Sequence, residues 1–220
     1  MAAALMEDLA AVPVDSLEVR WINPGPLETA MREWFARFPA GTETRQDAYL
    51  LQPRLAGLSV KLRDGRTLDV KSYLGSPGIL GRPGYGRLES WRKWSFPYEP
   101  SCDGGAALPG WITVRKQRHT CWVPLAAGHG LAPAPRPAPQ AGCTVELTEV
   151  HLHDQPWWSI GLEATGSAGL LRLALQHAAD LAFAQPLPAG VALSLDNCRS
   201  YVQWLHRRPS PDAADTAHPE

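Results

Sequence analysis

The sequence predicts an α+β fold in which antiparallel strands curl into a β-barrel and a few helices pack outside it. Three observations carry this expectation. Stretches that alternate apolar and polar residues recur along the chain, only three segments show helical spacing, and the polar faces of the strands carry mostly full charges. A period of two marks a strand with one packed face and one polar face. Many antiparallel strands with few helices are best accommodated by a barrel.

The elements follow in order. At 17–21, Leu17, Val19 and Trp21 share one face, and Glu18 and Arg20 the other. Residues 26–38 set Leu27, Met31, Trp34, Phe35 and Phe38 at helical spacing, an amphipathic helix ended by Pro39. At 58–63, Leu58, Val60 and Leu62 oppose Ser59, Lys61 and Arg63; at 67–73, Leu68 and Val70 oppose Asp69 and Lys71. The Gly- and Pro-punctuated run 75–86 predicts a connecting loop, and it lacks the GK[ST] of a phosphate-cradling P-loop. Strands are expected at 87–94 and 111–118, with less regular apolar faces. Val145 and Leu147 oppose Glu146 and Thr148 in 145–150, and Trp158, Ile160 and Leu162 oppose Ser159, Gly161 and Glu163 in 158–163. A Leu- and Ala-rich helix is expected over 169–183, before Pro186, and a short one over 200–207.

At 220 residues the chain can bury a sizeable core, and a single domain is expected over 1–208. A Pro-rich loop at about 126–142, containing the Pro/Ala alternation of 131–140, interrupts it, and a disordered tail is expected at 209–220. With 21 Lys+Arg against 22 Asp+Glu the net charge is −1, so no global field draws nucleic acid or an acidic membrane. Cys102, Cys121, Cys143 and Cys198 form no CxxC pair and read as reduced thiols, which suits a cytoplasmic protein. The first residues lack a basic n-region and include Glu7 and Asp8, and no apolar run reaches membrane-spanning length.

The polar strand positions hold the functional signal: Glu18 and Arg20, Lys61 and Arg63, Asp69 and Lys71, Glu89 and Lys93, Lys116 and Arg118, Glu146, and Glu163. If the apolar faces pack beneath helices, these charges point into the barrel. Mixed charges in a closed interior are costly unless they pair, bind ions or stay wet. Converging Arg and Lys side chains would hold a phosphorylated anion by charge-assisted bonds. Neighbouring carboxylates could hold Mg²⁺ or Mn²⁺. The alternative is that these residues form the wet outer face of an antiparallel sheet.

At these residues the sequence resembles the CYTH, or triphosphate tunnel metalloenzyme, superfamily. Gln46-Asp47-x-Tyr49-Leu50 is similar to its Q-x-D-x-Y-F element, with the acidic residue one place nearer the Gln. Lys61-x-Arg63 resembles its R-x-R strand, and Leu68-x-Val70-Lys71 the next basic strand. Val114-x-Lys116-x-Arg118 resembles its V-x-K-x-R strand, Ile160-Gly161-Leu162-Glu163 takes the place of its E-x-E strand, and Ser200-Tyr201-Val202-x-Trp204-Leu205 resembles its C-terminal S-Y-x-x-L-L. The resemblance spans about residues 17–206 in order. It implies an eight-stranded tunnel that grips a triphosphate between basic clusters and holds divalent metal on glutamates for phosphoanhydride hydrolysis. Lys61, Arg63, Lys71, Lys116 and Arg118 would bind phosphate. Glu18 and Glu163 would be the remaining catalytic, metal-binding carboxylates, with Glu89 and Glu146 lining the tunnel. Two departures stand out. Arg20 and Ile22 replace the second glutamate and the lysine of the family's first strand, E-x-E-x-K, and Gly161 replaces the first glutamate of its late E-x-E. Arg20 repels a dication and attracts phosphate directly.

Two functional readings follow. In the first, a phosphohydrolase acts on tripolyphosphate, a nucleoside triphosphate or a similar compound. Glu18, Glu89, Glu146 and Glu163 orient Mg²⁺ or Mn²⁺, Arg20, Lys61, Arg63, Lys71, Lys93, Lys116 and Arg118 meet the phosphates, and water attacks. In the second, the basic tunnel binds or sequesters a phosphorylated small molecule or polyphosphate without chemistry, or the protein serves as a scaffold. A lipocalin-like apolar pocket is disfavoured by the charged faces. The remaining motifs carry blander expectations. His151-x-His153-Asp154 reads as a surface turn, and His119 with Cys121 as an incidental pair. Ser194, Ser200 and His206 lack a nucleophile elbow. Trp91, Trp94, Trp111, Trp157 and Trp158 read as outward-packed core rather than as base-stacking platforms.

Overall fold

The computed structural model describes residues 11–55, 57–81, 85–99, 110–126, 130–134 and 140–207. The expected tail and residues 127–129 and 135–139 of the Pro-rich loop lie outside the described residues. Among these, no helix is long and apolar enough to cross a membrane.

Eight long strands form the barrel: β1 (Val14–Pro24), β2 (Gly41–Leu50), β3 (Leu58–Arg63), β4 (Thr67–Gly75), and then, after a two-residue pair β5 (Ile79–Leu80) and β6 (Gly86–Arg87), β7 (Glu89–Pro97) and β8 (Trp111–Pro124). A two-residue β9 (Ala132–Pro133) precedes β10 (Gly142–Leu152) and β11 (Gln155–Thr165). The sheet runs β10-β11-β1-β7-β4-β3-β2-β8, and β8 pairs back to β10, so no long strand is left with an open edge. All neighbouring pairs are antiparallel.

The helices are α1 (Thr29–Phe35), α2 (Leu171–Ala182) and α3 (Tyr201–His206). The first two are shorter than their apolar periodicity suggests. Beyond Phe35 the backbone turns toward β2, yet Phe38 still packs into the core. Before Leu171 the chain makes a 3₁₀ turn over Ala168–Leu170. In α3, Ser200 and Gln203 form a reciprocal capping box that satisfies donors at the helix start.

Outside the barrel, Val19, Trp21, Val145, Leu147, Ile160 and Leu162 pack against Met31 and Phe35 of α1 and against Ala174, Leu175 and Ala178 of α2. The alanines of α2 recur four residues apart and let the helix lie close across β10, β11, β1 and β8. The few helices cover only part of the barrel. On β3, β4 and β7 the outward Val60, Val70 and Trp94, aligned as cross-strand partners, are only half-buried. The 75–86 run is also more than a connector, because β5 and β6 pair across it. Gly86 lies so close to β1 that a Cβ there would sit 2.4 Å from Val19 Cγ2 and 2.6 Å from Trp21 Cζ2. Trp21 Nε1 donates to the Tyr85 carbonyl at 2.9 Å and fixes this crossing.

A second, smaller apolar cluster sits inside the barrel. Ile22, Tyr49, Val114, Val150 and Leu152 project from the strand ends at one end of the barrel and meet Val202, Trp204 and Leu205 of α3. Trp157 packs on Trp204 with ring centroids 5.2 Å apart. The C-terminal helix therefore plugs one end of the barrel, leaving the charged interior beyond it.

Candidate anion-binding site in the barrel

Strand alternation turns the charged residues inward, as the sequence suggested. β2 adds a row that the apolar pattern hides: its inward positions are Glu43, Arg45, Asp47 and Tyr49, while Thr42, Thr44 and Gln46 on its outer face are exposed. Ten charged side chains line a cavity of about 80 Å³ beside α3, six of them basic: Arg20, Arg45, Lys61, Lys71, Lys116 and Arg118. The acidic four are Glu18, Glu89, Glu146 and Glu163. Arg118 and Glu163 also line a recess of about 260 Å³ near Thr42, Thr120 and Thr144, at the strand ends opposite the plug. Arg63 and Lys93 face inward but gather on Asp69 instead of this cavity: Arg63 hydrogen-bonds Asp69 Oδ2, and Lys93 Nζ lies 3.6 Å from Oδ1.

Besides Asp69, the interior is organised around three further carboxylate centres. Asp47 is fully buried, and its Oδ2 accepts from Lys116 at 2.9 Å and from Lys61 and Arg45 at 3.3 Å. Lys116 also donates to the Tyr49 hydroxyl at 2.6 Å and lies 3.5 Å from the centroid of the Tyr201 ring. Burial would raise the Asp47 carboxyl, but Lys61, Lys116 and Arg45 outweigh it and hold it far below the usual range. Burial pushes the Lys116 amine down to about 7, opposed by Asp47 and reinforced by Arg45.

Glu146 is the second centre. It accepts from Arg20 Nη1 at 2.7 Å, from Arg118 Nε at 2.9 Å and from Thr148 Oγ1 at 2.8 Å. Despite its burial, Arg118 and Arg20 hold its carboxyl well below the usual range. Arg20 reaches it by crossing Gly161, its cross-strand partner, and its guanidinium lies 4.8 Å from the Tyr201 ring centroid.

The third centre pairs Glu18 with Glu163 across β1 and β11, and Glu18 with Glu89 across β1 and β7. Lys71 Nζ hydrogen-bonds Glu18 Oε1 and lies 3.3 Å from Glu163 Oε1. Lys71 is the main cause of the low position of the Glu163 carboxyl. Glu89 accepts from the Trp91 indole at 3.1 Å, and burial, with Glu18 adding repulsion, raises its carboxyl. Trp91 thus faces the cavity, not the outer core as expected; its position two residues from Glu89 puts both on one strand face.

A divalent metal, which the resemblance implies, does not suit the carboxylates as they stand. Glu146 is closed by two arginines. Between Glu18 and Glu163 the place next to both carboxylates holds an ammonium. Among the described residues, no group of three or more His, Cys, Asp or Glu side chains is placed to hold an ion.

The other motifs do not build sites. His151, near the end of β10, and His153, in the β10–β11 turn with a positive φ of 52°, are both exposed. His119 Nδ1 lies 3.0 Å from Thr42 Oγ1 on the outer face, and Cys121 is buried in the outer core. Ser194 shares Asn197 Oδ1 as a local turn, and Ser200 caps α3. Missed in the charged pattern were Glu43 and Arg45, together with Asp47, which figures only within a motif. A charged or aromatic residue at every second position from 43 to 49 was the available signal for all three.

The closed eight-stranded antiparallel barrel with its charged interior is the architecture that the sequence resemblance implies. No family model and no curated protein matches the sequence. Among solved structures, the chain is similar to the PH1819 protein from Pyrococcus horikoshii OT3, at 15% identity over 87% of this chain and 99% of that one, with a TM-score of 0.47. It is also similar to HpAC1 from Hippeastrum, reported to have a dominant triphosphatase activity, at 11% identity over 90% and 98% of the two chains, with a TM-score of 0.42. A third is the Pct1 RNA triphosphatase of S. pombe, at 10% identity over 80% of each chain, with a TM-score of 0.40.

Proposed function

We propose that the barrel binds a phosphorylated anion, a tripolyphosphate or the polyphosphate end of a small molecule, within its charged interior. The observation that carries this reading is the convergence of six basic side chains on one cavity that only four carboxylates line. Each ion pair in the wall is already desolvated, so phosphate oxygens can replace carboxylate oxygens on Lys61, Lys116, Arg45 and Arg118 with little further desolvation of the cations. The ligand enters by rearranging those pairs, because the cavity is smaller than most small-molecule sites.

Phosphoanhydride hydrolysis is a second reading, favoured by the row of Glu89, Glu18 and Glu163 beside the basic wall. Glu89, whose carboxyl burial raises, is the member suited to exchange a proton with water there.

A thermal-shift titration with tripolyphosphate tests binding, since a ligand that binds the native state raises its stability. A concentration-dependent rise in the wild type that is lost in Lys61→Ala is expected. A flat titration in the wild type overturns the reading. Phosphate release from tripolyphosphate, abolished by Glu89→Gln, distinguishes hydrolysis from binding alone.

A further inference from the structure

The row of glutamates across β7, β1 and β11 has the makings of a cation site, and it already contains a cation. Glu18 and Glu163 face each other as cross-strand partners, and Ser16 Oγ orients Glu18 by donating to Oε1 at 2.7 Å. Lys71 comes from β4, two strands away from β1, and its ammonium reaches both carboxylates, pairing with Glu18 Oε1 and approaching Glu163 Oε1 to 3.3 Å. The side chain of Lys71 is largely buried, 17% exposed, so the charge is held in place and not shared with solvent.

We infer that the Lys71 ammonium substitutes for a divalent cation between Glu18 and Glu163, and that removing it uncovers a divalent-cation site. The physical grounds are three. A tethered ammonium is present at high effective concentration, whereas a free ion must compete from solution. Mg²⁺ or Mn²⁺ needs oxygen ligands closely arranged around it, and an ammonium hydrogen-bonded to the same oxygens takes their lone pairs. A dication entering beside Lys71 also meets Arg20, which lies close enough to Glu18 to interact with its charge. This inference concerns the cation and needs no phosphorylated ligand, so its failure and that of the anion reading are separable.

The test is a titration of the full-length protein with Mn²⁺, following the spin-resonance signal of free Mn²⁺, for wild type, Lys71→Gln, Glu163→Gln and the double variant. Wild type is expected to bind no stoichiometric Mn²⁺ up to about 1 mM, and Lys71→Gln to gain a one-to-one site at least about tenfold tighter than that limit. The gained site should vanish in the double variant. A one-to-one Mn²⁺ site in the wild type that Glu163→Gln abolishes overturns the inference, as does a folded Lys71→Gln that gains nothing. Should Lys71→Gln not fold, Lys71→Met replaces it under the same two criteria, and the wild-type arm decides independently of either.

Discussion

Arg20 lies directly over Gly161, its cross-strand partner, and a Cβ built on Gly161 would stand 2.9 Å from Arg20 Cζ. The next residue in the row is Glu146, partner of Gly161 on its other side, which receives Arg20 Nη1 at 2.7 Å. Two replacements that look like separate losses of carboxylate along the chain are therefore one device in space: the glycine opens the path by which the arginine reaches its counter-ion.

Gly161→Ala pushes the Arg20 guanidinium off that path. The clash is with the far end of a flexible side chain, so the barrel remains closed, but the buried Glu146 keeps only Arg118 as a cation partner. We expect a loss of about 1–3 kcal/mol in urea unfolding, with the loss suppressed when Arg20→Ala is already present. Additive losses in the double variant would refute the coupling.

Asp47→Ala leaves Lys61, Lys116 and Arg45 facing one another without their shared carboxylate. Breaking a buried pair from one side costs about 3–5 kcal/mol, and the same range is expected here from chemical denaturation. Added tripolyphosphate should restore more stability to this variant than it adds to wild type, because it supplies the missing negative charge.

The position of Lys116 makes both stability and binding depend on pH. Its amine titrates near 7 when folded and near 10.5 when free, so between these values the unfolded chain holds the extra proton and stability from this group rises with pH. An anion bound beside Lys116 favours its charged form. At pH 8, calorimetry in buffers of different ionisation enthalpy should show proton uptake on tripolyphosphate binding. In Lys116→Met that uptake should be smaller, because only Lys61, whose amine burial also pushes down, then remains beside the anion to take up a proton.

Trp204 carries the plug. It is buried against Trp157 and Tyr201 at the closed end of the barrel. Trp204→Ala should cost about 3–5 kcal/mol of unfolding free energy, measured by thermal or urea denaturation. Ser200→Ala, which removes only the cap of the same helix, should cost about 1 kcal/mol.

The barrel was legible because apolar and polar residues alternate over 17–21 of β1, 58–63 of β3, 67–71 of β4, 145–148 of β10 and 158–163 of β11. β2 escaped the same test because its outer face carries Thr42, Thr44 and Gln46, so hydrophobic contrast between its faces is missing. Glu18, Lys61, Lys71, Lys116 and Arg118 were found on the wall where alternation places them. Their partners were not legible. Which carboxylate each cation meets depends on register, and register brings Glu43, 75 residues away, opposite Arg118. A single strand contains no record of that pairing. The same holds for Glu146, which charge pattern marks as a metal ligand and register delivers to two arginines.

Closure by α3 gives the barrel a floor. Among the described residues the basic wall stands between that floor and the recess at the opposite strand ends, beside Thr42 and Thr144. A vessel with a floor cannot be threaded. A long phosphate chain could present only its terminus to such a wall while its remainder stayed outside, so the protein would count chain ends and be blind to chain length. Equal molar concentrations of short and long polyphosphate would then look alike to it, although their phosphate contents differ.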